Sequence, residues 1–511
     1  MGTYACLYFQ VDALEQDASE VLSMVRSIKN TFAPINRIPP EVLSLIPDFY
    51  CDPNEGLIEL THVCRHWREI FISRASLWTF LDCVDLDQTR IYLERSKMSP
   101  LEMWFARDGY HPFPDDTLLL IAPHVGRLKA LTLLGPSKII LKFINHFGSP
   151  APLLEELDIQ VCSPYTTVSE GALFGGNLSS LRELRLSGVL NLPWGNLPNL
   201  TVFDFRWAPG NGISVTQLLD FFEGAPLLRE VKLENSLPKS FDAPDGRVVS
   251  LPHLRLLRIS AQPVHSILLN HLRVPTGALA TLEFLFNSDR APILDYLPRS
   301  LDNLRNVSHI TSINLNFNSG MAMRLKGPSG ELYVVGLWVD AINFTFYADD
   351  QTLRPLNLFP ISTTERLVVR EYHTSVHSKT ETSCVCQTLL LMNDLRTLTL
   401  TNCTNNSFIF ALNPKNTANV ACSKLEELIL YLREQQEESC VDELLEMARE
   451  RASRGAKLSA IVIVCPRELI PSESVFSLRS YVSRVEYTLD DRAPGWDTLP
   501  GEAGVVYDSD W

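Results

Sequence analysis

Two histidines and two cysteines fall close together in this chain: His373 and His377, then Cys384 and Cys386. Imidazole and thiolate are the usual ligands of tetrahedral zinc, so the set could hold that metal. The Cys-x-Cys spacing is tighter than the usual zinc patterns, and the stretch around it is polar. It reads better as a return segment whose cysteines begin the next strand, so no metal is expected. Paired acids such as Glu155 and Glu156 have the residue types of a general acid and base. They stand at the start of a strand-like segment, where they read as solvated residues. No GxSxG, HExxH, GxxxxGKS/T or strand-following GxGxxG occurs. The expectation is a chain with no catalytic residue and no cofactor, which acts by binding.

The elements that would carry a binding surface repeat. The unit is apolar-x-x-apolar-x-apolar, as in Leu181-x-x-Leu184-x-Leu186. Eleven copies begin at Leu128, Leu154, Leu181, Leu200, Leu228, Leu254, Leu279, Ile310, Leu395, Leu425 and Leu458. The first seven start 26, 27, 19, 28, 26 and 25 residues apart, mostly within the roughly 20–29 residues of a leucine-rich repeat. Such a strand points alternate side chains inward, and stacked strands form one parallel sheet. The segments between strands return as helices. One, Ser214 to Gly224, has a hydroxyl cap, an amphipathic body and a terminal glycine. Another, Cys440 to Gly455, carries an apolar patch of Leu444, Leu445, Met447 and Ala448. Between Asn316 and Asp394 the repeat is hard to follow. Glu331–Val335 and Glu365–Val369 read as strands there, with a kink or an inserted loop. Among the positions between inward residues are Arg182, Arg185, Arg229, Lys232, Arg255 and Arg258. They predict a locally basic stripe suited to a target with an acidic or phosphorylated segment, because Arg holds such groups bidentately.

Ahead of the repeats lie short helices. Pro39 and Pro40 suit a first helical turn, where a missing N–H costs nothing. Val42, Leu45 and Ile46 then share one face, and Pro47 stops the helix. Asp52 as N-cap, Pro53 and Glu55 open a second helix. Along it Leu57, Leu60, Val63, Cys64, Trp67, Ile70 and Phe71 recur at helical spacing. Upstream, Val11 to Ala33 is free of Gly and Pro. Val11, Leu14, Ala18, Val21, Val25 and Ile28 are spaced 3, 4, 3, 4 and 3 apart, a short heptad-like seam. Its expected use is packing against the helices that follow, with self-association as the other reading. After those helices, Gln88 to Lys97 reads as a helix, and Leu101, Met103 and Phe105 alternate as in a strand.

The stretch from Ile35 to Trp78 resembles an F-box. It contains Ile38-Pro39-Pro40-Glu41-Val42-Leu43, then Val63-Cys64-Arg65-His66-Trp67-Arg68, then Leu77-Trp78. It departs from the usual pattern in Ile38, where Leu is commoner, and in Pro47, which cuts the first helix short. With Tyr92-Leu93-Glu94-Arg95-Ser96 and divergent repeats behind it, the chain resembles the F-box proteins with leucine-rich repeats of mushroom-forming fungi. The resemblance implies docking to a Skp-type adaptor and through it to a cullin. Ile38, Pro39, Glu41, Val42, Leu45 and Ile46 would form the leading contact. Leu60, Val63, Cys64, Trp67 and Trp78 would form the second half, some facing the adaptor and some the module's own core. The implied function is substrate recruitment in a Skp-cullin-F-box ubiquitin ligase. The alternative is a repeat scaffold without a ubiquitin role, its helices serving as a cap.

The implied fold is α/β, a small all-helical F-box module followed by an irregular leucine-rich-repeat solenoid, a horseshoe or superhelix. Its parts would be a helical prelude (1–34), the module (35–80), a connecting helix and strand (81–127), the repeat array (128–486) and an acidic tail (487–511). Composition fits a soluble protein: 511 residues, 45% hydrophobic and 21% charged. No apolar run is long enough for a membrane span. No basic-then-apolar leader opens the chain, and Cys6 stands where a myristoylation motif wants Ser or Thr. The eleven cysteines are few, odd in number and scattered, as for reduced thiols. A cytoplasmic or nuclear location is therefore expected. A net charge of −15 argues against nucleic-acid binding, which calls for a basic stripe.

Overall fold

The computed structural model describes residues 2–489, except 50–52, 84, 107–114, 162–172, 177, 189–195, 207–213, 235–245, 262–265, 287–296, 299–300, 317–319, 339–352, 371–378, 402–406, 418, 433–438 and 466–471. Two compact units are present, Met1–Leu200 and Thr201–Trp511. Each is a mixed α/β body built on a mostly parallel sheet.

The first unit opens with the helix α1 (Gly2–Thr31). Pro39 is the extended N-cap and Pro40 the first residue of α2 (Pro40–Leu43), as their fixed φ favours. The apolar stripe after Pro47 is divided between two helices, α3 (Pro53–His62) and α4 (Arg65–Ser73). Cys64, at φ −161° and ψ 172°, is the extended residue that separates them. Asp52, the expected cap, lies outside the described residues. Leu43, Leu57, Leu60, Trp67 and Phe71 are buried and close this small module. The Trp67 indole donates to Asn36 Oδ1 at 2.6 Å, and its ring meets Phe71 edge-on.

The strand β1 (Phe80–Leu81) ties the module to a sheet. Asp85 caps α5 (Leu86–Arg95) by accepting from the Gln88 N–H at 2.7 Å. Tyr92 and Arg95 of this helix clasp Trp78. The Tyr92 ring lies 4.9 Å from the indole edge-on, and the Arg95 guanidinium sits 4.3 Å above it. The chain continues as β2 (Leu101–Ala106), α6 (Asp115–Ile121), β3 (Leu128–Gly135), α7 (Ser137–His146), β4 (Glu156–Val161) and β5 (Glu183–Ser187). These strands add in sequence order, all parallel. In register, Met103, Leu131, Leu157 and Leu184 form one buried row. Phe105, Leu133, Ile159 and Leu186 form the next, with Phe143 of α7 packed on Phe105.

The second unit holds β6 (Val202–Arg206), α8 (Val215–Glu223), β7 (Glu230–Glu234), β8 (Val249–Ser250), β9 (Leu256–Ala261), α9 (Ser266–Asn270), β10 (Leu272–Arg273), β11 (Leu279–Phe286) and β12 (Ser312–Asn316). Then come β13 (Gly320–Gly327), β14 (Gly330–Trp338), β15 (Arg366–Arg370), α10 (Lys379–Leu391), β16 (Thr397–Thr401), α11 (Ser407–Leu412), β17 (Glu427–Tyr431), α12 (Ser439–Ser453), β18 (Ala460–Cys465), α13 (Ser472–Leu478) and β19 (Arg484–Leu489). The expected cap of α8 is there in full. Ser214 accepts from the Gln217 N–H at 3.1 Å while Gln217 accepts from the Ser214 N–H at 2.9 Å.

The irregular middle has a clear cause. The strands β13 and β14 form an antiparallel hairpin that lies between β11 and β12. Because it goes down and back, β14 again runs parallel to β11, and β12 to β15. The hairpin turn needs glycine. Gly330 has φ 129°, and a Cβ there would meet the Ala278 carbonyl oxygen at 2.6 Å.

Further sequence expectations change, beginning with α2, which ends at Leu43, so Pro47 does not stop it but lies inside the 3-10 turn Ile46–Phe49. The Leu279 copy is displaced by two residues: Ala280 pairs with Leu257 and Leu282 with Ile259, so Ala280 and Leu282 take the inward slots. Cys384 and Cys386 lie on α10 and neither begin a strand nor sit in a loop. The last repeat strand runs on to Leu489, past the expected start of the tail. The seam of α1 does not pack on the helices behind it: Val11, Leu14, Val21, Val25 and Ile28 are all more than half exposed.

Candidate functional site

The first candidate surface is the open side of the helical module. Of the residues tied to adaptor docking, Pro39, Glu41, Val42, Leu45 and Val63 are exposed, and Ile38, Ile46 and Cys64 are half-buried. Val42 and Leu45 are each 50% exposed although they flank the fully packed Leu43. Phe49, in the 3-10 turn that follows, is 85% exposed. Leu60, Trp67 and Trp78 are core. The Trp78 indole donates to the Phe71 carbonyl at 2.8 Å. The helices therefore have two apolar sides. One is used internally, and the other presents Val42, Leu45, Phe49 and Val63 with Pro39 and Glu41 among them. Phe49 was not singled out in the sequence, because it lies in the irregular link after Pro47. Its exposure marks it as part of this surface.

The second candidate is the outward face of the strands. Arg182 and Arg185 belong to the first unit, and Arg229, Lys232, Arg255 and Arg258 to the second. Arg185, Lys232 and Arg258 sit beside carboxylates. Arg185 bonds Glu183 on its own strand, and Lys232 Nζ is 3.9 Å from Glu230. Arg258 Nη2 is 3.0 Å from Glu283, and Arg206 grips Asp204 through two bonds of 2.9 and 2.8 Å. Within each unit the expected basic positions are thus interleaved with acids. Glu183, Asp204 and Glu230 stand two residues away along the same strand, hence on the same face, a spacing legible in the sequence, whereas Glu283 lies on the neighbouring strand. Toward the other end of the second unit the outward positions are covered. Val368, Arg370, Thr399 and Thr401 are all buried, so β15 and β16 keep an open outward face only at their first residues, Arg366 and Thr397.

The zinc-like set is not assembled among the described residues. Cys384 is buried and Cys386 half-buried, and burial pushes the Cys386 thiol up. His373 and His377 lie outside the described residues. Among the described residues no group of three His, Cys, Asp or Glu could hold a metal ion, and no helix is long and apolar enough to cross a membrane. No protein-family model matches the chain, and no curated protein matches it either.

Proposed function

We propose that the chain is a substrate-recruiting subunit of a Skp-cullin-F-box ubiquitin ligase. The helical module docks the Skp-type adaptor, and the strand ladders are an irregular leucine-rich-repeat solenoid that holds the target. The observation that carries this reading is the module's second apolar side. Residues that a monomer would bury, Val42, Leu45, Phe49 and Val63, are turned outward, at the positions where the F-box resemblance puts the adaptor. The repeat reading rests on strands that add in order with their inward rows in register. Such a protein does no chemistry. It holds a target beside a charged conjugating enzyme, and proximity raises the rate of transfer.

The test is Leu45→Glu. A charge in the centre of an apolar contact should reduce co-purified adaptor by roughly thirtyfold, the effect of about 2 kcal/mol at an interface centre. The fold should survive, because Leu45 is half exposed. Full adaptor binding by the folded variant would exclude the F-box reading and leave the scaffold without a ubiquitin role.

In this reading target binding falls to the mixed-charge strand faces, one in each unit. Arg185→Glu, Arg229→Glu and Arg258→Glu together should release co-purifying targets while the adaptor stays. Beside Glu183 in one unit and Glu283 in the other, the new carboxylates make each strand face strongly acidic. Target capture by the wild type should weaken with salt, as for exposed charges. An unchanged set of targets in the triple variant would move the site off these strands.

A further inference from the structure

We propose that α1 pairs with the α1 of a second copy of this chain, antiparallel, making the protein a dimer. The helix faces its own module with its polar side. Arg65 Nη2 donates to Ser23 Oγ at 2.8 Å, and Asn36 Nδ2 to the Asn30 carbonyl at 2.7 Å. Ser23, Ser27 and Asn30 are the half-buried positions, lining a cleft with Cys64, Arg65 and His66. In a heptad with Val11, Ala18 and Val25 at a, and Leu14, Val21 and Ile28 at d, Ser23 and Asn30 stand at f. That is the side opposite the a/d seam. The seam therefore points away from the module, and its large residues are 52–66% exposed. Leu22 and Met24, flanking it at e and g, are 50% and 61% exposed. No described side chain from Val11 to Leu22 is buried. A helix this long draws most of its stability from packing, and here the packing face is empty.

The residues select the occupant and its direction. A parallel pair would set Ala18 against Ala18 and leave one layer underfilled. An antiparallel pair centred near Ser23 sets the small Ala18 against the large Ile28, Val21 against Val25, and Leu14 against Phe32, itself 68% exposed. Leu22 then meets its counterpart across the two-fold axis, and so does Met24. Glu15 comes beside the second copy's Lys29, giving two identical attractive ion pairs by symmetry. The face is complementary to itself in this direction, as a two-fold interface requires.

Sedimentation of the full chain from low to high micromolar concentration tests this. The wild type should pass from monomer to dimer. Val21→Glu with Val25→Glu should remain monomeric at every concentration and melt like the wild type at the low concentrations where that is monomeric, since both positions are exposed in the monomer. Glu15→Lys alone should weaken the dimer roughly tenfold, two attractive pairs having become repulsive. Adding Lys29→Glu to it should restore the dimer. A wild type that stays monomeric, a dimer that survives the two valine changes, or a charge-swapped double variant that stays weak would each overturn the antiparallel pair.

Discussion

Leu398→Asp is expected to unfold several neighbouring strands together. Leu398 is fully buried, in register between Leu367 and Leu428, which are 1% and 0% exposed. An aspartate there must bury an unpaired carboxylate or force the strands apart. Burying an ion costs several kcal/mol even after relaxation, and the lost leucine transfer adds roughly 2 kcal/mol. That sum is a large part of the about 5–15 kcal/mol that holds a typical domain. Because stacked strands share one core, the loss should spread to both neighbours. Thr397→Asp is the control. Its side chain leaves the other face, between Arg366 and Glu427, and the change should stay within about 0.5 kcal/mol. Hydrogen exchange and limited proteolysis across residues 366–465 read the difference. Equal protection in the two variants would mean that Leu398 does not point into the core.

The inward rows were legible because they depend on period alone. Leu157, Leu184, Leu233, Leu400 and Ile463 all land where apolar-x-x-apolar-x-apolar places them. Legibility stopped where the slot holds something other than a large aliphatic residue. Ala280 fills one slot, and the neighbouring Leu279 and Leu282 mimic the motif two residues out of step. Thr364 takes a leucine position ahead of Leu367 and Val369 and is fully buried, so that copy carried no signal. Val482 ahead of Val485 begins a last copy too worn to notice. The hairpin β13–β14 was visible only as irregularity, since the sequence does not say that it returns between β11 and β12.

The candidate sites divide on the same ground. A helical stripe tells which residues are apolar, and it leaves open whether a stripe faces the chain's own core or a partner. Trp67 and Val63 belong to one expected contact, yet Trp67 is packed inside and Val63 is open. The α1 seam is the sharper case. Its spacing was plain, but the choice between packing inward and staying free was made by Ser23, Ser27 and Asn30 on the opposite side. On that side Ser23 accepts from Arg65 and the Asn30 carbonyl from Asn36, and Ser27 is half-buried beside them. Nor did the sequence announce the buried arginines. Arg127 is enclosed by the carbonyls of Leu93 and Ser99 and the hydroxyl of Ser96, at 3.0–3.3 Å. Nothing in its local pattern separates it from a surface cation.

Arg451→Met is expected to open the junction between α11 and α12 and to expose Cys422 to reagents. Arg451 is fully buried although it lies in the last turn of α12. Its guanidinium donates to the Ala421 carbonyl at 2.7 Å, the Cys422 carbonyl at 2.8 Å and the Leu412 carbonyl at 3.4 Å. Burial holds its pKa below the ordinary value. Methionine replaces the stem but none of the donors, so all three carbonyls lose these bonds, while that of Cys422 keeps another donor, the Leu425 N–H at 3.0 Å. Leaving a buried carbonyl without its donor costs about 1–3 kcal/mol. Cys422 reports the opening. It is 3% exposed, its thiol meets the Leu389 carbonyl at 3.1 Å, and burial pushes its pKa up to about 12. A protonated, enclosed thiol reacts only when the region opens. A destabilisation of about 3 kcal/mol should therefore speed Cys422 alkylation by roughly a hundredfold at neutral pH. The pH dependence has a fixed sign. The unfolded thiol loses its proton near 9.0 while the folded one keeps it to about 12. The stability tied to this group is thus present below pH 9 and is lost as pH rises toward 12. Wild-type alkylation should climb more steeply over that interval than a free thiol's. If peptide mapping found Cys422 as protected in Arg451→Met as in the wild type, the guanidinium would not be what closes this junction.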